Sequence, residues 1–318
     1  MNKNTKGYLF ASISAAACGT MPLFALPIKY AGYSSDTALF YRFLFGTVLI
    51  GLCLLLRRSG LRVSGREAGT LLPLGLLYAL SAHFLFVGYD YMPAGTASVL
   101  LFSYPVFVAL ITGLTRQKPP SRTVWGATVL ALAGGAVLNG SDGTNPAGTV
   151  AVLLSAIAYA LCIVIIRARG IGKTDGMKVA CCSMCCSTAF FLLRALSRDS
   201  FVPAIPAGIG SDIVLFALVA TVVPFVALVA AVRLTGPIST AAMGWPEPVA
   251  AVIIGSAVFR EPLTGRLVAG TILMIGAALL TLPEARIAAA MQRLRLLRPK
   301  TDTLRAAARA LRALFGFR

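Results

Sequence analysis

The sequence predicts an all-α polytopic membrane protein, and three observations favour this fold class. Of the 318 residues, 58% are hydrophobic and only 13% are charged, with a mean hydropathy of +0.83, values far from those of a soluble domain. The apolar residues form runs of about 20, the length that crosses a bilayer as a helix. Acidic residues fall between these runs or near the C-terminus, and Glu247 is the exception.

Ten such runs fill most of the chain and leave no room for a soluble domain. We number them spans 1 to 10; they cover residues 8–28, 36–56, 69–89, 95–115, 123–140, 147–167, 177–196, 212–232, 238–258 and 266–283. The N-terminus has the short basic start and apolar stretch of a signal peptide. Because the apolar run continues without interruption, we interpret it as an uncleaved first span.

The basic residues predict the orientation. If the N-terminus is cytoplasmic, most of the 29 Lys and Arg residues lie on the cytoplasmic side, as the positive-inside rule requires. We therefore expect both termini to be cytoplasmic, in a bacterial inner membrane. The same distribution accounts for the net charge of +18 without a nucleic-acid partner. Residues 285–318 form a basic amphipathic tail, which either binds anionic lipid or is simply solvated.

Two halves of the chain can be aligned with each other. A shift of 143 residues places the segment 103–119 beside 246–262, with Pro105 opposite Pro248 and Pro119 opposite Pro262. Five spans per repeat is an odd number, so the second copy enters the membrane inverted, the arrangement on which alternating access is commonly built. The predicted units are 1–140 and 141–284, two five-helix repeats, followed by the tail 285–318.

Short motifs in this layout resemble a known family. "YRF" (41–43), "EPV" (247–249) and "REPL" (260–263), within ten spans arranged as two halves, are similar to the EamA type of the drug/metabolite transporter superfamily. The resemblance implies secondary transport of small organic metabolites, often export of amino acids or related compounds, through a cavity between the halves. The first half departs from the pattern, because it reads "RQKP" (116–119) where an acidic residue is common.

Three other functions are alternatives to secondary export. An uptake permease or a flippase of lipid or another metabolite fits the same fold. An integral membrane enzyme is less compatible, because the spans contain no aspartate-rich or His/Cys constellation. The expected partners are a small-molecule substrate and the lipid bilayer, without a cofactor or metal, and the oligomeric state is open.

Glu247 is the first candidate site residue. A charged side chain at the centre of a membrane helix costs roughly 2.5–3.5 kcal/mol on insertion scales, so such residues usually serve a function. A carboxylate that water reaches in this setting can exchange a proton near neutral pH. We therefore hypothesise that Glu247 binds a cationic group of the substrate or the coupling proton. The structural alternative is a carboxylate that is neutral or paired with Arg42.

Prolines mark the same depth in both halves. Pro105, Pro246 and Pro248 each lack an N–H and free the carbonyl four residues earlier, that of Gly244 in the case of Pro248. We expect one helix break in span 4 and one in span 9, beside a cavity, as in the broken helices of transporters. Kinks that serve packing alone are the alternative.

Two aromatic residues accompany the breaks. The repeat alignment pairs Tyr104 with Glu247, so the two are expected at pseudo-symmetric positions, where a phenol and a carboxylate can bind a substrate amine or ring. Trp245 is two residues from Glu247 and therefore on another helix face. Plain aromatic packing is the alternative for both Tyr104 and Trp245.

Arg42 and His83 are predicted at similar depth, roughly 9 Å below the outer surface at 1.5 Å per residue. Arg42 can anchor a carboxylate; alternatively it snorkels outward or pairs with Asp90. His83 can relay protons, or it is a lone hydrogen-bonded histidine.

Three motifs are interpreted as having no catalytic or metal-binding role. "CCSMCC" (181–186) is apolar packing rather than a metal or redox site, since cysteine is readily buried. "GIGKT" (170–174) lacks the first glycine of a phosphate-binding loop and follows a membrane span. "NGS" (139–141) matches a glycosylation acceptor and carries no functional information.

Overall fold

The computed structural model describes residues 3–57, 64–115, 121–139, 144–167, 174–203 and 207–282, and this part consists of helices joined by short connections, without strands. The helices of the first half are α1 (Lys3–Gly19), α2 (Met21–Tyr30), α3 (Ser35–Leu56), α4 (Gly65–Tyr91), α5 (Ala94–Leu101), α6 (Tyr104–Thr115) and α7 (Arg122–Asn139). Those of the second half are α8 (Pro146–Ile166), α9 (Gly176–Ser197), α10 (Ala207–Ala217), α11 (Val223–Thr235), α12 (Pro237–Ala242), α13 (Pro246–Phe259) and α14 (Gly265–Leu280). A π-helical segment, Leu218–Val222, joins α10 to α11.

Eight helical stretches in the described part are long and apolar enough to cross a membrane, and they coincide with spans 1–4 and 6–9. The all-α polytopic class is therefore confirmed. The remaining two predicted spans correspond to α7, with 18 residues, and to the apolar but shorter α14, with 16. A total of ten membrane crossings stays a prediction.

Side-chain caps fix where several helices begin. The Ser34 hydroxyl accepts a hydrogen bond from the Thr37 N–H at 3.1 Å at the start of α3. Ser64 and Glu67 form a reciprocal capping box at the start of α4, with Ser64 N–H donating to Glu67 Oε2 at 2.9 Å. These caps satisfy N–H groups that a helix leaves unpaired at its first turn.

Extensive helix contacts join the first half of the chain to the second. Span 1 packs on span 8, span 3 on span 6, span 2 on span 7, span 4 on span 9 and span 5 on span 10. Each span has an equivalent in the other half, span 6 for span 1 and so on to span 10 for span 5. When every span is replaced by its equivalent, the same five pairs result. The described part of residues 1–281 forms one compact unit in which the halves interlock.

Glycines allow the close approach of spans 5 and 10. A Cβ atom on Gly270 would lie 2.5 Å from Leu138 Cγ, and one on Gly134 would lie 3.2 Å from Leu273 Cβ. The sequence leaves open whether these glycines serve contacts within the chain or between chains. In the structure Gly134 and Gly270 pack within the chain.

Several spans are interrupted near their middle. Span 4 breaks at 102–103, between α5 and α6, and span 9 breaks at 243–245, between α12 and α13. Span 1 breaks between α1 and α2, and span 8 contains the π-helical segment. These interruptions place irregular backbone at membrane depth, which is tolerated where it is buried in protein or lines a cavity.

Candidate functional site

A small cavity of about 30 Å³ lies where spans 1, 4 and 9 are interrupted. It is lined by residues of six predicted spans: Cys18, Met21, Arg42, Tyr78, Ser81, Ala82, Leu85, Leu101, Tyr159 and Glu247. A cavity of this size holds one or two water molecules. Its lining combines one carboxylate and one guanidinium with hydroxyl groups, in a wall that is otherwise apolar.

Glu247 is 5% exposed and occupies the second position of α13. Pro246 begins that helix, a position where its missing N–H is no loss. The chain thus starts a new helix inside the membrane region, and a carboxylate near a helix N-terminus is stabilised by the aligned peptide dipoles. The carbonyl of Gly244, expected to be free, accepts the Glu247 N–H at 3.0 Å.

Tyr104 is the first residue of α6, directly before Pro105, and is 3% exposed. Its hydroxyl donates to Glu247 Oε2 at 3.2 Å, so the two residues paired by the repeat alignment are in direct contact. The Tyr159 ring packs edge-on against the Tyr104 ring, with centroids 4.8 Å apart. The phenol is therefore held on the carboxylate.

Arg42 is 1% exposed, so the expectation that it snorkels outward is wrong. Its Nε donates to Thr221 Oγ1 at 2.5 Å, and Nη2 donates to the Ala220 carbonyl at 3.0 Å. The guanidinium carbon lies 4.4 Å from the centre of the Phe216 ring. Arginine has five N–H donors, so donors remain for a further acceptor.

Pro224 explains why Arg42 finds these partners. It lacks the N–H that would bond the Ala220 carbonyl in a continuous α-helix, and it is the second residue after the π-helical segment. The freed carbonyl accepts from Arg42 instead. The proposed pairing of Arg42 with Asp90 is also wrong, because Asp90 forms an ion pair with Lys29 at 2.5 Å.

His83 and Trp245 lie outside the cavity lining. His83 is half-buried, with Nδ1 3.9 Å from Asp36 Oδ1, and Asp36 also accepts from Arg194 Nε at 3.0 Å. Nδ1 has no hydrogen-bond partner among the described residues. Trp245 is 41% exposed and faces the protein surface.

Sequence reasoning missed four polar residues of the cavity: Cys18, Tyr78, Ser81 and Tyr159. In the sequence these residues are marked only by a hydroxyl or thiol group within an apolar span. Such residues are too frequent in the spans for this feature to single out the four. The π-helical segment was missed as well, although Pro224 in the middle of span 8 indicates an interrupted helix.

The structure describes only some of the residues in the three motifs that were assigned no catalytic or metal-binding role. The cysteines of 181–186 lie on α9 as free thiols outside the cavity lining, with Cys181 buried and Cys185 exposed. The "NGS" and "GIGKT" motifs fall partly outside the described residues, and the tail 285–318 falls wholly outside them.

Comparisons with known proteins agree with this architecture. A model of the EamA-like transporter family matches residues 5–140 and again 146–282. The chain is similar to an uncharacterised transporter of Bacillus subtilis (strain 168), YcbK, with 26% identity over 279 residues that cover 80% of this chain and 89% of that protein. A solved crystal structure superposes with a TM-score of 0.67 at 16% identity, covering 88% of this chain and 98% of that one, which shows a shared fold.

Family matches thus extend over both halves of the helical region, including the interrupted spans that carry Tyr104 and Glu247. They confirm the resemblance drawn from the sequence motifs. The chain belongs to the EamA-like transporter family.

Proposed function

We propose that this membrane transporter is a secondary exporter of small zwitterionic or cationic metabolites, such as amino acids and related compounds. The observation that carries the proposal is the cavity lined by both Glu247 and Arg42, at the breaks of the interrupted spans. Glu247 binds the substrate amine or the coupling proton, and Arg42 binds a carboxylate. The Tyr104 hydroxyl, which donates to Glu247, is displaced or shared when an amine arrives.

Alternating access is the proposed mechanism. The cavity of about 30 Å³ has room for water but not for an amino acid, so binding of an amino acid requires the surrounding spans to separate. We infer ten membrane spans in two inverted five-helix repeats, with both termini in the cytoplasm of a bacterial cell. Support comes from span contacts that are unchanged when the halves are exchanged, and from two family matches of similar length.

Transport into proteoliposomes tests this function. The purified chain is reconstituted, and labelled zwitterionic, cationic, anionic and neutral metabolites are offered with and without a pH gradient. We expect uptake of an amine-bearing zwitterion or cation, and protection of Cys18 from a thiol reagent by the same compound, because Cys18 lines the cavity. Uptake confined to anions or neutral compounds contradicts the proposed site. Movement of fluorescent phospholipid between leaflets, without metabolite uptake, identifies a flippase instead.

Gly244→Ala is expected to lower transport about tenfold or more. A Cβ atom on Gly244 would overlap the Tyr104 hydroxyl and would lie 3.1 Å from Phe102 Cε2. The phenol must then leave Glu247, with loss of a hydrogen bond worth about 1.5–3 kcal/mol when one partner is charged. Initial rates at equal protein content measure the effect.

Gly51→Ala is the matched control for that variant. Gly51 lies within α3, and a Cβ atom placed there meets nothing within 4 Å. Transport by this control should equal that of the unmodified protein. If Gly244→Ala transports as well as Gly51→Ala, the Tyr104 contact has no role in transport.

A further inference from the structure

Glu261, in the connection between α13 and α14, binds the N-terminus of a helix in the other half. Its Oε1 accepts from the Ala94 N–H at 2.8 Å, and its Oε2 accepts from the Gly95 N–H at 2.9 Å. These are the first two residues of α5, whose N-cap residue, Pro93, makes no side-chain cap. The first N–H groups of a helix have no partner within it and carry partial positive charge. We call this contact of Glu261 with Ala94 and Gly95 the Glu261 clamp.

The backbone around the clamp is shaped to receive the carboxylate. Helix α13 ends at Phe259, and its C-cap residue Arg260 is in the left-handed conformation, with φ of 56°. The Glu261 N–H donates to the Gly255 carbonyl at 2.9 Å. This turn directs the Glu261 side chain back towards α5. A Cβ atom on Gly255 would lie 2.5 Å from Glu261 Oε2, and one on Gly95 would lie 2.9 Å from it. The carboxylate thus occupies a slot that exists because both positions are glycine.

The repeat alignment gives the first half no equivalent clamp. The shift of 143 residues pairs Glu261 with Lys118 and Ala94 with Pro237. Lysine has no acceptor atom, and proline has no N–H to donate. Lys118 lies outside the described residues, so this comparison rests on the sequence. If the halves are inverted repeats, spans 4 and 9 are clamped at one membrane face and lack the equivalent clamp at the other.

We propose that Glu261 is a positioning residue that holds spans 4 and 9 together at one membrane face, so that the unloaded transporter rests with its cavity closed to that face. We call the membrane face that carries residues 92–95 and 260–264 the clamp face. Helix α5 links the clamp to the cavity, because all eight of its residues are buried and Leu101, at its far end, lines the cavity.

The proposal rests on the transport function and orientation proposed above, in which the clamp face is the outer face. Two related halves with equal contacts at both faces would populate the two accessible states equally. A contact present at one face alone stabilises the state closed there. An exporter closed to the outside at rest meets its substrate from the cytoplasm.

Alkylation of Cys18 tests the clamp without any transported substrate. A membrane-impermeant maleimide is added to whole cells or to inside-out vesicles, and modification of Cys18 is measured by peptide mass mapping with the other cysteines in place. A separate Tyr30→Cys variant identifies the clamp face, since Tyr30 is 74% exposed at the end of α2. We expect Glu261→Gln to raise the Cys18 alkylation rate from the clamp face several-fold, and Glu261→Ala to raise it further.

Asp90→Asn is the control, since it removes a carboxylate that pairs with Lys29 within the first half of the chain. Its alkylation rate should match that of the unmodified protein. The proposal is overturned if both Glu261 variants remain folded and Cys18 reactivity from the clamp face is unchanged or falls. It is also overturned if neither Glu261 variant folds, because the contact is then a structural cap. If the protein transports no metabolite, Cys18 alkylation can still be measured. That result counts against the proposed function and not against the clamp.

Discussion

Replacement of Glu247 by glutamine is expected to reduce transport at least a hundredfold. Glutamine keeps the size of the side chain and can still accept from the Tyr104 hydroxyl, so the local packing is preserved. It carries no negative charge and takes up no proton, so both proposed roles of the carboxylate are lost. A charge-assisted hydrogen bond contributes roughly twice as much as a neutral one, and a hundredfold loss corresponds to about 2.7 kcal/mol. Initial rates in proteoliposomes, with and without a pH gradient, measure the loss.

Glu284→Gln is a suitable control, because it removes a carboxylate beyond the last predicted span. It should transport at the normal rate. If Glu247→Gln retains full activity and an unchanged response to pH, neither amine binding nor proton coupling takes place at Glu247.

Arg42→Lys is expected to destabilise the folded protein by about 3 kcal/mol, although the charge is kept. The guanidinium contacts Thr221 Oγ1 and the Ala220 carbonyl with two different nitrogens, and it stacks on Phe216. A lysine ammonium is a compact point charge without that planar fork. It leaves a buried carbonyl or hydroxyl unsatisfied, and each lost hydrogen bond to a charged group is worth about 1.5–3 kcal/mol. Thermal unfolding in detergent, followed by tryptophan fluorescence, reports the change.

Arg57→Lys provides the comparison, because Arg57 is the exposed residue that follows α3, the helix that contains Arg42. Its stability should change by less than about 0.5 kcal/mol, as is usual for surface substitutions. Equal stability of the two variants would mean that Arg42 does not hold the π-helical segment, and its role would then be confined to the substrate.

The sequence predicts the all-α polytopic class, because bilayer thickness imposes a length and a polarity that can be counted residue by residue. It also indicates Glu247, since a lone carboxylate in an apolar span is conspicuous, and the repeat alignment leads from there to Tyr104. The partners of Arg42 could not be predicted, because Thr221 and Ala220 are about 180 residues away in the chain. The Ala220 carbonyl is free to accept from Arg42 only because Pro224 has no N–H. His83 is a candidate because an imidazole can relay protons and because its depth matches that of Arg42, but equal depth does not determine which neighbours a side chain meets.

The interlocking of the two halves also has a consequence for biosynthesis. Spans 1, 2 and 3 find extensive contacts in spans 8, 7 and 6, so much of the packing is far apart in the chain. When span 5 leaves the ribosome, its main contact partner, span 10, is still about 140 residues from being made. At synthesis rates of about 5–20 residues per second, the face of span 5 that packs on span 10 stays uncovered in the bilayer for roughly 7–30 s. During that interval the span depends on lipid or on chaperones to keep from aggregating, and the Glu261 contact is among the last to form.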